Sequence, residues 1–129
     1  MRGLKTWLAG TLIVLAVSGC ATTTSYRGTV EFGRLRVTTA VDVLPRPSEV
    51  PDVRYPEVLL AQSVEGTAEL SFVVDVDGVP TRLQVIAASD PAFGEAAAVA
   101  VRRLRYVPAR KDGRRAACEV QQTFFFRIQ

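Results

Sequence analysis

The feature that most constrains the fold is an alternating segment that ends in a turn dipeptide. Because neighbouring side chains of a strand point to opposite faces, an apolar residue at every second position predicts a half-buried β-strand. Asp77-Gly78 follows the segment, a pair suited to the positive φ angles of a tight hairpin, and residues 83–87 resume the alternation. The sequence therefore predicts a β-hairpin. The apolar members of its first strand are Ala68, Leu70, Phe72, Val74 and Val76.

The flanking segments predict two helices and a third strand. Pro56 can occupy the first turn of a short helix over residues 57–63. Asp90 before Pro91 predicts the N-cap and first residue of a second helix, since apolar residues recur at helical spacing up to residue 104. Residues 118–128 alternate again. The order helix, strand, strand, helix, strand predicts an α+β fold, in which two layers combine a hairpin and a third antiparallel strand with two helices on one face.

The first 20 residues are typical of an export signal. Arg2 and Lys5 precede an apolar run, residues 7–17, which is shorter than the roughly 20 residues that a membrane span needs. Residues 17–20, Val-Ser-Gly-Cys, resemble the bacterial lipobox, whose cysteine is lipidated, for example with palmitate, and begins the mature chain. We therefore expect a lipoprotein signal peptide over residues 1–19 and lipid on Cys20. The alternatives are an ordinary cleaved signal with an incidental cysteine and an uncleaved anchor.

The segment between Cys20 and the hairpin domain predicts a tether. Apolar residues alternate up to Phe32, and after Gly33 the parity shifts to residues 35–43, as in an extra strand with a bulge. Residues 45–52 contain three prolines and predict a stiff, extended spacer. The expected organisation is a signal peptide over residues 1–19, a tether over 20–50 and a domain over 51–129. Whether the extra strand covers an edge of the domain is left open.

Composition argues against several classes of function. The net charge of +3 falls to +1 once the signal peptide is removed, so the basic surface that nucleic-acid binding requires is absent. The sequence contains no histidine, the commonest general base and metal ligand, and Cys118 has the parity of core residues in its strand. We expect no catalytic residue, no metal site and no cofactor, and hence no enzyme.

The domain resembles the C-terminal domain of TonB-type energy transducers over residues 51–129. The family has a Tyr-Pro before its first helix, a glycine before its first strand, an Asp-Gly hairpin, an arginine-rich end of its second helix and an aromatic final strand. The corresponding positions here are Tyr55-Pro56, Glu65-Gly66, Asp77-Gly78, residues 102–106 with Pro108, and residues 124–126.

The resemblance implies protein binding by β-strand addition. TonB domains pair an edge strand with a short segment, the TonB box, of outer-membrane transport receptors. The edge here would be the final strand, residues 118–128, at which a second copy of the chain could also pair. Phe125 lies on the polar parity of that strand and has two interpretations, contact with a partner or burial under the extra strand. The implied partner-binding residues are Arg54, Tyr55, Pro56, Glu119, Gln121, Thr123, Phe125 and Arg127.

The sequence departs from a TonB transducer before the domain. It lacks the inner-membrane helix and the long proline-rich stretch that contact the motor and cross the periplasm, so force transmission between membranes is not expected. A lipid-tethered module facing the periplasm, capturing an envelope protein, is the first interpretation. Ala21 after Cys20 favours the outer membrane over the inner one. The alternative is a structural or assembly lipoprotein that associates with the cell wall or with itself and transduces no energy.

Overall fold

The computed structural model describes residues 27–129. The expected signal peptide and Cys20 lie outside these residues. In chain order the elements are β1 (Gly28–Phe32), β2 (Arg36–Val37), β3 (Arg46–Pro47), α1 (Glu57–Ala61), β4 (Gly66–Val74), β5 (Pro80–Ala88), α2 (Pro91–Arg103), β6 (Tyr106–Val107), β7 (Ala109–Lys111), β8 (Arg114–Ala116) and β9 (Cys118–Ile128).

The hairpin joins β4 to β5 through the Asp-Gly turn. The carboxylate of Asp75 accepts hydrogen bonds from the backbone N–H groups of Asp77 and Val79, both at 2.9 Å, which fixes the loop. Gly78 has a φ of +79°, and a Cβ at this position would collide with the carbonyl oxygen of Tyr106. The turn therefore requires glycine both for its backbone angle and for the close approach of the next segment.

The main sheet is antiparallel, with strand order β1-β9-β4-β5, and β2 also pairs with β9. Helix α2 packs against β4 and β5. Asp90 caps this helix, accepting a hydrogen bond from the N–H of Ala92 at 2.9 Å, and Pro91 is its first residue. The predicted α+β fold is confirmed. Of the residues described, neither helix combines the length and apolar character that spanning a bilayer requires.

The core lies between α2 and one face of the sheet. The even-numbered residues of β4 and β9 face it, which explains the alternation of apolar and polar residues in the sequence. Phe93 of α2 stacks on Phe126 of β9 with ring centroids 4.4 Å apart. Tyr106 packs against Phe72 at 5.6 Å, so the connection after α2 closes the other end of the core. Both phenylalanines of the first pair are at most 1% exposed.

The structure corrects the expectation that the final strand is a free edge of the sheet. Strand β9 has β4 on one side and β1 with β2 on the other, so it lies inside the sheet. The reason is that the segment before the proline-rich spacer folds back and supplies its own strands to β9. The extra strand is shorter than the pattern suggested, because β2 ends at Val37 and Val43 makes only an isolated bridge with Arg110.

The proline-rich spacer contacts the domain, and its backbone bends at Ser48 and Glu49. Its strand β3 pairs with β6 in the connection after α2. The backbone N–H and the hydroxyl of Ser48 both donate to the carbonyl of Arg105, at 2.9 and 2.6 Å. The spacer is thus attached along the side of the domain at several points.

Candidate partner-binding site

The candidate site is the side of β9 that faces residues 28–37, here called the covering segment. The N–H of Gly33 donates to the carbonyl of Thr123 at 2.8 Å, and immediately beyond the covering segment the N–H of Thr38 donates to the carbonyl of Glu119 at 3.0 Å. In an antiparallel ladder the residues bonded to one neighbour alternate with those bonded to the other. The odd-numbered residues of β9 therefore direct their backbone groups toward the covering segment, and the even-numbered residues toward β4.

All the residues of β9 that the sequence predicted to bind a partner are odd-numbered and so belong to the set that faces the covering segment. The register places Gln121 opposite Arg36, Phe125 opposite Glu31 and Arg127 opposite Thr29. The backbone groups that a partner strand would use are thus the ones that the chain's own segment occupies. The nominated set on β9 is Glu119, Gln121, Thr123, Phe125 and Arg127.

The side chains of this set lie on the face of the sheet opposite the helices. Arg127 donates from Nε to Oε1 of Glu31 at 2.8 Å, and its guanidinium carbon lies 5.4 Å from the centre of the Phe125 ring. Phe125 is half-buried, and a Cβ added to Gly33 would lie 3.1 Å from that ring. The ring is thus packed under the covering segment, which is the second of the two interpretations for Phe125.

On the helix side, the covering segment extends the core with few side chains. Val30 lies opposite Phe126, and Phe32 meets Phe124 edge to face with centroids 5.5 Å apart. Each residue of the covering segment is half-buried or exposed, and Phe32 is 39% exposed. Because apolar burial supplies most of the stabilisation of a packed strand, this segment is held mainly by its backbone ladder.

Tyr55 holds the beginning of the covering segment. Its ring meets Phe93 and Phe126 edge to face, at 5.6 and 5.5 Å, and its hydroxyl donates to the carbonyl of Val64. A Cβ on Gly28 would lie 2.5 Å from Cδ2 of this ring, so the chain passes the ring where only glycine fits. Burial, and to a lesser degree the carboxylate of Glu65, raise the pKa of the Tyr55 hydroxyl.

Arg54 and Pro56, the other two nominated residues, line a groove of about 680 Å³ between α1 and α2. Tyr55 forms one wall, and Glu57 and Glu95 are exposed on the rim. The structure thus places Tyr55 in contact with Phe126 of β9, whereas Arg54 and Pro56 line the groove between the two helices. The remaining lining residues are Leu60, Ala92 and Ala96.

Gln122 is a residue of the site that the sequence reasoning missed. It has the core parity of β9 and is 7% exposed. Its side-chain amide donates to the carbonyl of Gly33 and, at 3.4 Å, to that of Thr123, so the covering segment supplies the closer of two acceptors for this buried polar group. The signal was present in the sequence, since Gln122 is a polar residue within an otherwise apolar series.

The described residues of the site carry groups suited to recognition. Within residues 27–129 no cluster of carboxylate or thiol groups has the number needed to hold a metal ion. Burial raises the pKa of the Cys118 thiol, which is 1% exposed, and so disfavours the nucleophilic thiolate. What the site offers is a row of backbone donors and acceptors flanked by an aromatic ring, a guanidinium and a buried amide.

Comparisons with known proteins agree with this fold. A family model described as the Gram-negative bacterial TonB protein C-terminal matches residues 51–128. The solution NMR structure of the Pseudomonas aeruginosa TonB C-terminal domain is similar, with a TM-score of 0.57 and 24% sequence identity. The similarity covers 66% of this chain and 87% of that one. At this identity the likeness supports the fold alone. No curated protein sequence matches the chain.

Proposed function

Because the chain belongs to the family of Gram-negative bacterial TonB C-terminal domains, we propose that it is a lipid-tethered protein-interaction module without catalytic activity. The family's domains act in the periplasmic part of the cell envelope. In our proposal the module takes up an extended segment of an envelope or outer-membrane transport protein, such as a TonB-dependent receptor, by β-strand addition along β9.

One observation carries the proposal: strand addition along β9 already takes place within the molecule. The covering segment lies outside residues 51–128, which match the family, yet it joins the sheet of that domain in antiparallel register over five consecutive pairs. A strand that accepts one extended segment through its backbone groups can accept another of similar shape. The same backbone groups would bind a partner once the covering segment has left them.

A second candidate function has its own supporting observation. The outward carbonyls of Thr123 and Glu119 already have partners in the chain, in Gly33 and Thr38. A permanently covered β9 would make the protein a structural or assembly lipoprotein that contacts the cell wall or other copies of itself by another surface. The two functions differ in whether β9 ever contacts a second protein.

Photo-crosslinking in intact cells separates them. The Phe125 ring is replaced by the photoreactive p-benzoylphenylalanine, an aromatic of related shape that lies beside the covering segment. The same residue at Val50, which is 83% exposed, is the matched control. The proposal predicts an adduct with an envelope protein from position 125 and none from position 50. Adducts only within the chain, or only with copies of it, would overturn the proposal in favour of the structural alternative.

The anchor is the remaining part of the proposal. Cys20 carries the lipid, residues 1–19 are removed, and Ala21 favours the outer membrane, so that the domain over residues 51–129 faces the periplasm. The lipobox sequence Val-Ser-Gly-Cys before Ala21 supports this organisation. Mass spectrometry of the purified protein tests it, since a lipidated amino-terminal Cys20 is expected. An unmodified Cys20, whether the signal is cleaved or retained, would contradict it.

A further inference from the structure

We propose that residues 28–37 act as a displaceable internal ligand of β9, and that a partner binds by replacing them with a segment of the same side-chain pattern. The inference rests on the proposed function and deepens it, because it specifies the regulation and the partner chemistry of that site. Its basis is the contrast between how completely the covering segment fills the site and how little of it is buried.

The first part of the case is that the covering segment can leave without unfolding the domain. Its ladder is interrupted between β1 and β2, and each of its side chains is half-buried or exposed. Segments held by exposed backbone bonds and few apolar contacts open at low free energy. The chain is attached again just beyond the covering segment, where Val43 and Arg110 exchange two backbone bonds at 3.0 Å. Thr38 and Thr39 also bond to Glu119 immediately beyond the covering segment, so displacement can end at Thr38.

The second part is that the contacts of the covering segment define which partner segment could take its place on β9. Glycine is required under Tyr55, and two apolar side chains, two residues apart, must face Phe126 and Phe124. An acidic residue between them meets Arg127, as Glu31 does. The partner is therefore an extended, antiparallel segment of the form glycine, any residue, apolar, acidic, apolar, with a carbonyl available to the amide of Gln122.

The test uses a fluorescent peptide with the sequence of residues 27–38, RGTVEFGRLRVT, as the probe for the full chain. Glu31→Pro in the chain removes a backbone N–H that faces β9, whereas Glu31→Ala loses the same carboxylate but keeps that N–H and is the matched control. Because the probe competes with the internal ligand, Glu31→Pro is expected to tighten probe binding about tenfold relative to Glu31→Ala, equivalent to about 1.4 kcal/mol.

A disulfide lock that holds the covering segment on β9 should have the opposite effect on probe binding. Arg36 and Gln121 are directly opposed in a hydrogen-bonded pair, whose Cα spacing of about 5.5 Å suits a disulfide. In the variant Arg36→Cys with Gln121→Cys, oxidation is expected to weaken probe binding at least about tenfold, and reduction to restore it. A probe carrying Gly28→Val is expected to bind about tenfold more weakly than the original probe, since the ring of Tyr55 leaves no room for the side chain.

The possible results separate this inference from the proposed function. Equal probe binding by the locked and reduced forms, or by the Glu31→Pro and Glu31→Ala chains, would overturn the internal ligand. Equal binding of a scrambled probe would overturn the side-chain pattern. In cells, crosslinking of an envelope protein from position 125 that is unaffected by the lock would refute displacement but leave strand addition standing. Probe results as expected, with no envelope adduct, would support displacement and refute partner capture.

Discussion

The contact between Gly28 and Tyr55 yields the sharpest prediction for how the covering segment is held. In Gly28→Ala the new Cβ would lie 2.5 and 2.8 Å from Cδ2 and Cγ of Tyr55, and 3.1 Å from Cδ1 of Leu60. The ring cannot move aside easily, because it is packed against Phe93 and Phe126 and its hydroxyl is bonded to the carbonyl of Val64. Overpacking of this kind costs about 1–3 kcal/mol.

The cost should be limited by the ease with which β1 moves away from β9, so we expect a value near 1 kcal/mol. Urea unfolding followed by circular dichroism measures it, and the corresponding decrease in Tm is about 4–8 °C. Hydrogen exchange should accelerate at Thr29 and Arg127 while the amides of β4 stay protected.

A double-mutant cycle gives the control. In a Tyr55→Ala background, Gly28→Ala should cost almost nothing, because the ring that the Cβ meets has been removed. Gly33→Ala is a second control, since its nearest contacts are looser, at 3.1 to 3.4 Å. An equal cost of Gly28→Ala in the presence and absence of the Tyr55 ring would refute the reasoning.

The remaining predictions concern the anchor, the core and two titratable groups. Cys20→Ser should move the protein from the membrane fraction to the soluble fraction and abolish palmitate labelling, both read on fractionated cells. Phe93→Ala removes a fully buried ring and should lower the free energy of unfolding by about 3–5 kcal/mol in urea titrations, with Val50→Ala as a near-neutral control. Burial raises the pKa of Tyr106, so the hydroxyl loses its proton at a lower pH in the unfolded state than in the folded state. Stability should therefore fall as the pH rises above about 10, and Tyr106→Phe should reduce this dependence of Tm on pH in thermal melts. Cys118 should react with a thiol reagent only after unfolding, and any thiol that reacts in the native protein would show that Cys20 is free.

The regular elements were predictable because their patterns were local. Strand β9 has the predicted bounds, and Asp90 with Pro91 begins α2 as expected. Alternation and capping depend on a few neighbouring residues, so a single sequence contains the necessary information. Asp112-Gly113 also carries a turn signal, and both residues have positive φ angles in the hairpin of β7 and β8.

The position of β9 in the sheet was not predictable in the same way. Strand order depends on which segments meet across long separations, and the pairing of Gly28 with Ile128 spans almost the whole described chain. The alternation of β9 showed which side chains are buried but could not show what lies beside its backbone. For the same reason the sequence identified Phe125 as anomalous without deciding between a partner and the chain's own segment.

The covering segment is also the described part of the chain nearest in sequence to the proposed anchor. Partner capture is therefore linked to the distance that the domain can extend from the membrane. With β1 docked, about 8 residues separate Cys20 from Gly28, which can extend roughly 28 Å at most. If the covering segment is displaced and the chain stays bonded at Thr38, about 18 residues become available and the limit rises to roughly 63 Å. A partner that replaces β1 would therefore both occupy β9 and release the domain to a greater distance from the membrane. Conversely, docking of β1 would draw the domain back toward the membrane and expel the partner from the same backbone groups, so the two states would exclude each other.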